Sequence, residues 1–486
     1  MESNTEKLQY VICTEPEEEK HKRAHHFEIL ALPTVLYALI FTILVYENYS
    51  GITVPIAVAA TIIYSNYCLE KLGIMPKQDS RVYVIGMLLL GVSSFLTGNE
   101  FIIFCNTVGI VLLLICMLLH NFYDDSKWGF GRYVNAVLCA VFGTLGSLGE
   151  PFSDVSCYQK EMKGKKRSSV LYVLIGVAAA VPLLAIVIFL LCSADIVFAD
   201  FVGNMRWDFG TVIGVSVTFL FVLFAAYCGL RYLGKGTLKN GKNSSKQYEP
   251  MIAATVLILL SVVYIFFCMI QFVYLFYGKM QLPENYTYAE YAREGFFQLL
   301  AVCILNLIVV LFVLAHFPKK RMLKALLTII SCCTYVMVAS SAFRMTLYVK
   351  NYQLSFLRFL VFWGLGVITL FLTGILIQIF HEKFPLFRYG LVMFSVCYLA
   401  LSFSHPDYWI AHYNLSAAEQ KIGEKVDTGY LMGLSSDAAP AIAAHTKGGS
   451  ELYWVSIYRE NIEQYADDGI RKFNVSRAYA KKVFDI

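Results

Sequence analysis

Glu290, Arg293 and Glu294 sit within about one helical turn in the phrase NYTYAEYAREGFF, and Arg344 and Tyr348 follow in FRMTLYVKNYQLSFLR. Glu290 and Glu294 are spaced i, i+4 and share a helix face, and Arg293 is i+3 from Glu290. Both phrases flank the basic turn PKKRMLK, each on an apolar run long enough to cross a bilayer, so the two runs read as a transmembrane hairpin. Glu294 lies 26 residues before Lys320 and Arg344 lies 24 after it. At about 1.5 Å per residue the two differ in depth by only ~3 Å. An acid and a base at one depth can form an ion pair, relay a proton or line a polar path. They can also form an interfacial collar in which charges reach out to water. The spacing predicts a Glu294–Arg344 pair and names no reaction.

Other chemically suggestive groups are weaker. Asp195 and Asp200, with Arg206 and Asp208, flank the end of an apolar run, but carboxylates five apart do not share a helix face. His405, Asp407, His412 and Tyr413 are ligand-type residues at a membrane exit, where interface roles are commoner. Gly236, Gly241 and Lys242 have the spacing of a phosphate loop, yet Asn243 stands where Ser or Thr belongs, and no strand precedes them. H-E-x-x-H and G-x-S-x-G are missing. Ten of the 13 cysteines, among them Cys68, Cys228 and Cys303, fall in or beside apolar runs and read as small fillers. No catalytic residue, cofactor, metal site or nucleic-acid partner is expected from these patterns.

The elements that would position these groups are helices in a bilayer. Hydrophobic residues make up 58% of the 486 and charged residues 15%, against about 45–50% and about 25% in soluble domains. The predicted fold is all-α, a polytopic integral membrane protein. It has a polar N-terminal tail (1–27), a transmembrane domain (28–404) and a small helical tail (405–486). Eleven spans are expected, near 28–47, 51–70, 82–98, 101–120, 169–192, 211–231, 250–276, 295–316, 322–346, 356–380 and 386–404. Segments assigned to the inside carry 25 Lys and Arg; the outside loops before the tail carry Arg206, Lys279, Arg293, Arg344, Lys350 and Arg358. That bias puts the N-terminus in the cytoplasm and the tail outside.

Between the fourth and fifth spans, Val134, Val137, Leu138, Val141, Phe142, Leu145 and Leu148 form a one-sided helical stripe, with Arg132 and Asn135 off it. This predicts one interfacial amphipathic helix over 132–149. Lys163, Lys165, Lys166 and Arg167 follow as candidate contacts for anionic lipid. In the tail, helices are expected after the cap residues Ser435–Asp437, within 451–470, and over 475–484.

Five phrases occur in a telling order: SADIVFADF (193–201), YAEYAREGFFQLL (288–300), FRMTLYVKNYQLSFLR (343–358), HPDYWIAHYNL (405–415) and NVSRAYAKKVF (474–484). Together they resemble a bacterial polytopic membrane family known as domain of unknown function 4173, related to domain of unknown function 4153, over about 80–484. The resemblance implies a bacterial cytoplasmic membrane and carries no activity or catalytic residue. Three functions remain open. The leading expectation is a non-enzymatic envelope sensor or scaffold that meets protein partners through the tail. The alternatives are a transporter or channel with a polar path near Glu294 and Arg344, and a membrane enzyme acting on lipid-linked substrates.

Overall fold

The computed structural model describes residues 17–125, 128–161, 209–236, 248–276, 288–318, 320–420, 426–446, 452–464 and 469–485, with scattered positions between 176 and 195. Every regular element among them is helical. The span expected over 169–192 and the basic cluster at Lys163, Lys165, Lys166 and Arg167 lie outside the described residues, as do Asp200, Arg206 and Asp208. Eight described helices are long and apolar enough to cross a membrane, or nine if one bent pair counts as a span. The chain divides into two compact units: Met1–Tyr49, Thr53–Leu88 and Gly109–Lys239, and Ser50–Ile52, Leu89–Val108 and Asn240–Ile486.

In the first unit, α1 (Glu17–Val45) packs against α2 (Thr53–Lys71), α6 (Glu150–Glu161) and α7 (Phe209–Gly234). Their shared core includes Phe27, Leu30, Tyr64, Cys68, Tyr158 and Tyr227, with the Tyr37 ring stacked on Tyr64 at 4.3 Å. α1 begins well inside the expected polar N-terminal segment, with Phe27 already in that core. α3 (Ser80–Leu96) and α4 (Glu100–Phe122) each contribute one part to each unit. At 17 residues, α3 is at the short end of what crosses a ~30 Å hydrocarbon layer.

α5 (Phe130–Gly146) meets α6 at a bend of 61°. One end of α5 places Tyr133 Oη on Asp125 (2.7 Å); near the other, Gly143 lies against the Tyr232 ring at the end of α7. The ends of α4 and α7 are themselves joined, since Tyr123 Oη donates to the Leu233 carbonyl at 2.9 Å. α5 therefore packs against the joined ends of α4 and α7. It buries Tyr133, Ala136 and Ala140, and the predicted stripe of Leu138, Phe142 and Leu145 is exposed on the other side. α6 is clamped to α7 by four charges at reciprocal i, i+4 spacing. Arg231 donates to buried Asp154 (3.0 Å) and sits 3.7 Å from Glu150, which also pairs with Lys235.

In the second unit, α10 (Arg321–Tyr352) is central, packed against α8 (Pro250–Phe276), α9 (Tyr288–His316) and α11 (Phe356–Phe380). α9 and α10 form the predicted hairpin. Leu257, Phe296, Cys303, Ile330, Met337 and Ile375 belong to its core. Polar side chains also link the helices: Asn306 donates to Thr334 (3.0 Å), and Tyr335 Oη lies 2.7 Å from Thr373 Oγ1. α12 (Leu386–Phe403) follows. The tail then forms α13 (Pro406–Gln420), α14 (Thr428–Met432), a 3₁₀ turn (Ser436–Ala438), α15 (Ala439–Thr446), α16 (Tyr453–Glu463) and α17 (Val475–Phe484). The three predicted tail helices are present; α13 and α14 were not foreseen. Ala411, Leu415, Leu431, Ile442, Tyr458 and Ala480 give the tail its own core.

Candidate functional site

The turn Thr97-Gly98-Asn99 joins α3 to α4 and receives the tail. Asn99 caps α4, its Oδ1 accepting from the Ile102 amide at 3.0 Å, and its side-chain amide donates to Asp407 at 2.9 Å. Asp437 accepts from Thr97 Oγ1 (2.5 Å), the Gly98 amide (2.8 Å) and Ser476 Oγ. A side chain at Gly98 would collide with Ser436, so only glycine allows the tail this close. Asn474 caps α17 through Oδ1 while its amide donates to the Ser50 and Thr97 carbonyls at 2.8 and 2.9 Å. Asp407, Asp437 and Asn474 are buried.

The charges in this latch are unevenly matched. Burial would raise the Asp437 carboxyl, but hydrogen bonds from His405, Ser476 and Thr97 outweigh it and hold the group below its ordinary value. His405, 3.2 Å away, is raised by its hydrogen bond to Asp437 against the opposing cost of burial. Asp407 is raised because burial exceeds the help from Ser435 and Asn99. Asp437 and His405 form an ion pair whenever His405 is protonated, at the exit of α12, where His405 has a left-handed φ of 48°.

Deeper in the unit a second polar layer joins α4 to α12. Buried Asn106 accepts from Tyr398 Oη (2.7 Å) and Ser402 Oγ (2.8 Å), and donates to Ser94 Oγ (3.1 Å). The same unit holds an open, largely apolar cavity of about 520 Å³. Its walls are α10 (Thr346, Val349), Leu354, α11 (Phe359, Phe362, Trp363), α12 (Ala400, Leu401), Ser404 and, from the tail, Tyr413. The Asn414 side chain holds both backbone groups of Leu354, accepting from its amide at 2.7 Å and donating to its carbonyl at 2.8 Å. The tail therefore fixes the cavity's rim as well as supplying Tyr413. This volume is within the range of small-ligand sites, and apart from Tyr413 the lining holds no ionisable side chain. It suits an apolar guest and holds no acid–base machinery.

Of the predicted cluster, Arg344 is buried, and its guanidinium packs against Gly295, the guanidinium carbon 3.2 Å from where a Cβ would stand. That places it beside the residue following Glu294. The side chains of Glu290, Arg293 and Glu294 lie outside the described residues. Tyr348 receives the Arg358 guanidinium on its ring at 4.3 Å. The other suggestive group separates: His405 and Asp407 join the latch, Tyr413 the cavity, and His412 meets His445. Thr97, Asn99, Asp437 and Asn474 were missed. Their signal was a polar turn, TGNE, wedged between two apolar runs, and cap residues that proved to hold a second partner.

A family model described as Domain of unknown function (DUF4153) matches residues 84–445. The match covers the latch turn, Arg344 and the cavity and ends in α15, short of the reach to 484 that the phrases suggested. It falls on the 4153 family, to which the 4173 family is related. No curated protein and no solved structure matches the chain.

Proposed function

The chain belongs to the DUF4153 family, a family of unknown function, and from that premise we propose that it is a non-enzymatic receptor or scaffold of the bacterial cytoplasmic membrane. In this reading the N-terminus is cytoplasmic and the tail is extracytoplasmic, following the charge bias. The finer likeness to the 4173 family belongs to the same proposal. The protein holds an apolar chain, such as a lipid acyl chain, in the cavity between α10, α11 and α12, and presents the tail to protein partners. One observation carries this: the cavity's wall is shared by three membrane helices and Tyr413 of the docked tail, so an occupant touches both parts at once. In a bilayer an apolar cavity of that size has hydrocarbon, not water, as its ready filler.

Native mass spectrometry of the purified protein tests the reading. Wild type should retain phospholipid, and Ala400→Trp, which places an indole in the cavity, should retain less; equal retention would refute the cavity as the site. Within the proposal, Glu294 pairs with Arg344 as a structural clamp, with Glu290, Arg293 and Tyr348 around it. The basic stretch Lys163–Arg167 contacts anionic lipid at the cytoplasmic face.

A further inference from the structure

Arg358 stands in the first turn of α11 at the rim of the apolar cavity. It precedes the wall residue Phe359, its Nη1 donates to the Tyr352 carbonyl at 2.5 Å and to the Gln353 carbonyl, and Gln353 adjoins the wall residue Leu354. Its guanidinium lies over the Tyr348 ring, next to the wall residue Val349. Adjacent residues on a helix point about 100° apart, so Arg358 flanks the wall without lining it. Resting on the reading of the cavity as an acyl-chain site, we propose that Arg358 binds the phosphate of the lipid held there, which makes the guest a glycerophospholipid.

A guanidinium carries five N–H donors in a planar fork that matches the oxygens of a phosphate. Nη1 is engaged by the two carbonyls at the end of α10, whereas Nε and Nη2 make no hydrogen bond among the described residues. Nor does any described carboxylate form an ion pair with Arg358. Asp427, whose amide donates to the Gln353 side chain at 3.2 Å, turns its own carboxylate to cap α14 on the Tyr430 amide at 3.0 Å. The half-buried Arg358 is thus held in place by backbone and ring while part of its fork remains to be used. A fork fixed in advance loses little freedom when an anion binds. The depth also suits a headgroup. The cavity is built from the last turns of α10 and α12 and the first turns of α11, and Phe362 and Trp363 lie only about 6–8 Å beyond Arg358 along α11. An arginine at the end of a spanning helix reaches the headgroup level, so a chain lying against Phe362 has its phosphate within reach of the fork.

The test uses the full-length protein, stripped of lipid in detergent and offered dioleoylphosphatidylglycerol or dioleoylglycerol. The two share their acyl chains, and only the first carries a phosphate. Native mass spectrometry should show wild type binding the phospholipid about tenfold more tightly. In Arg358→Gln the two lipids should come within about twofold, with dioleoylglycerol bound as in wild type. Ala400→Trp should weaken both. Equal binding of the two lipids by wild type overturns the role of Arg358 and needs no variant to fold; if Ala400→Trp still displaces both, the cavity reading stands without it. A phosphate preference that survives in Arg358→Gln overturns the role as well. Unchanged binding of both lipids in Ala400→Trp overturns the cavity reading itself, and the anchor with it.

Discussion

Asp437 is the residue whose loss the latch can least absorb. Replacing it with Ala strands the Thr97 hydroxyl and the Gly98 amide in a buried turn and leaves His405 without its counter-charge. We expect a loss of about 3 kcal/mol in stability, read by thermal melting. The pH dependence has a defined sign. His405 is raised in the folded state, so its contribution is complete below its ordinary value and fades as pH climbs through the raised one. Asp437 is lowered, so its contribution holds above the ordinary carboxylate value and fades as pH falls through the lowered one. Asp407 is raised and works the other way, favouring the folded state at low pH. The melting temperature should therefore decline as pH rises from 6 to 8.5, by about 1–2 °C because His405 is partly exposed. His405→Asn, which tolerates the left-handed backbone and keeps a donor, should flatten that decline; an unchanged profile would place its cause elsewhere. For the proposed clamp, Arg344→Ala and Glu294→Ala should each lower the melting temperature, with the double variant recovering part of the loss. Strict additivity would mean no direct pair.

Among the elements, α6 offers the clearest test. Arg231 and Asp154 are both buried, so Asp154→Ala leaves Arg231 with only the more distant Glu150, 3.7 Å away, and should cost about 3 kcal/mol. Asp154→Leu together with Arg231→Met should recover most of it; a double variant no better than the single one would argue against the clamp. The sequence revealed most helices because a bilayer imposes runs of about 20 apolar residues, and a one-sided stripe marked α5. It concealed α13, since Pro406 and the polar residues around it read as an exit from the membrane and not as a helix start. It also hid α6, whose mean hydropathy is unremarkable and whose charges find their partners only in α7. Asp437 read as a helix-cap residue; its buried contacts with Thr97 and Ser476 depend on pairings far apart in the chain, which local pattern does not encode.

Within the second unit the tail docks on the long apolar helices, and the apolar cavity lies at their junction. Topology is open to a simple check. Alkaline phosphatase fused after Ile486 should be active and a green fluorescent protein fusion there dark; the reverse result would invert the orientation. The most direct test of the central claim is hydrogen exchange across residues 406–416 of α13, measured with and without added phospholipid. Wild type should gain protection there when lipid is present, because an acyl chain in the cavity packs against Tyr413, and Ala400→Trp should show no gain. No lipid-dependent protection in wild type, or the same gain in the filled variant, would contradict it.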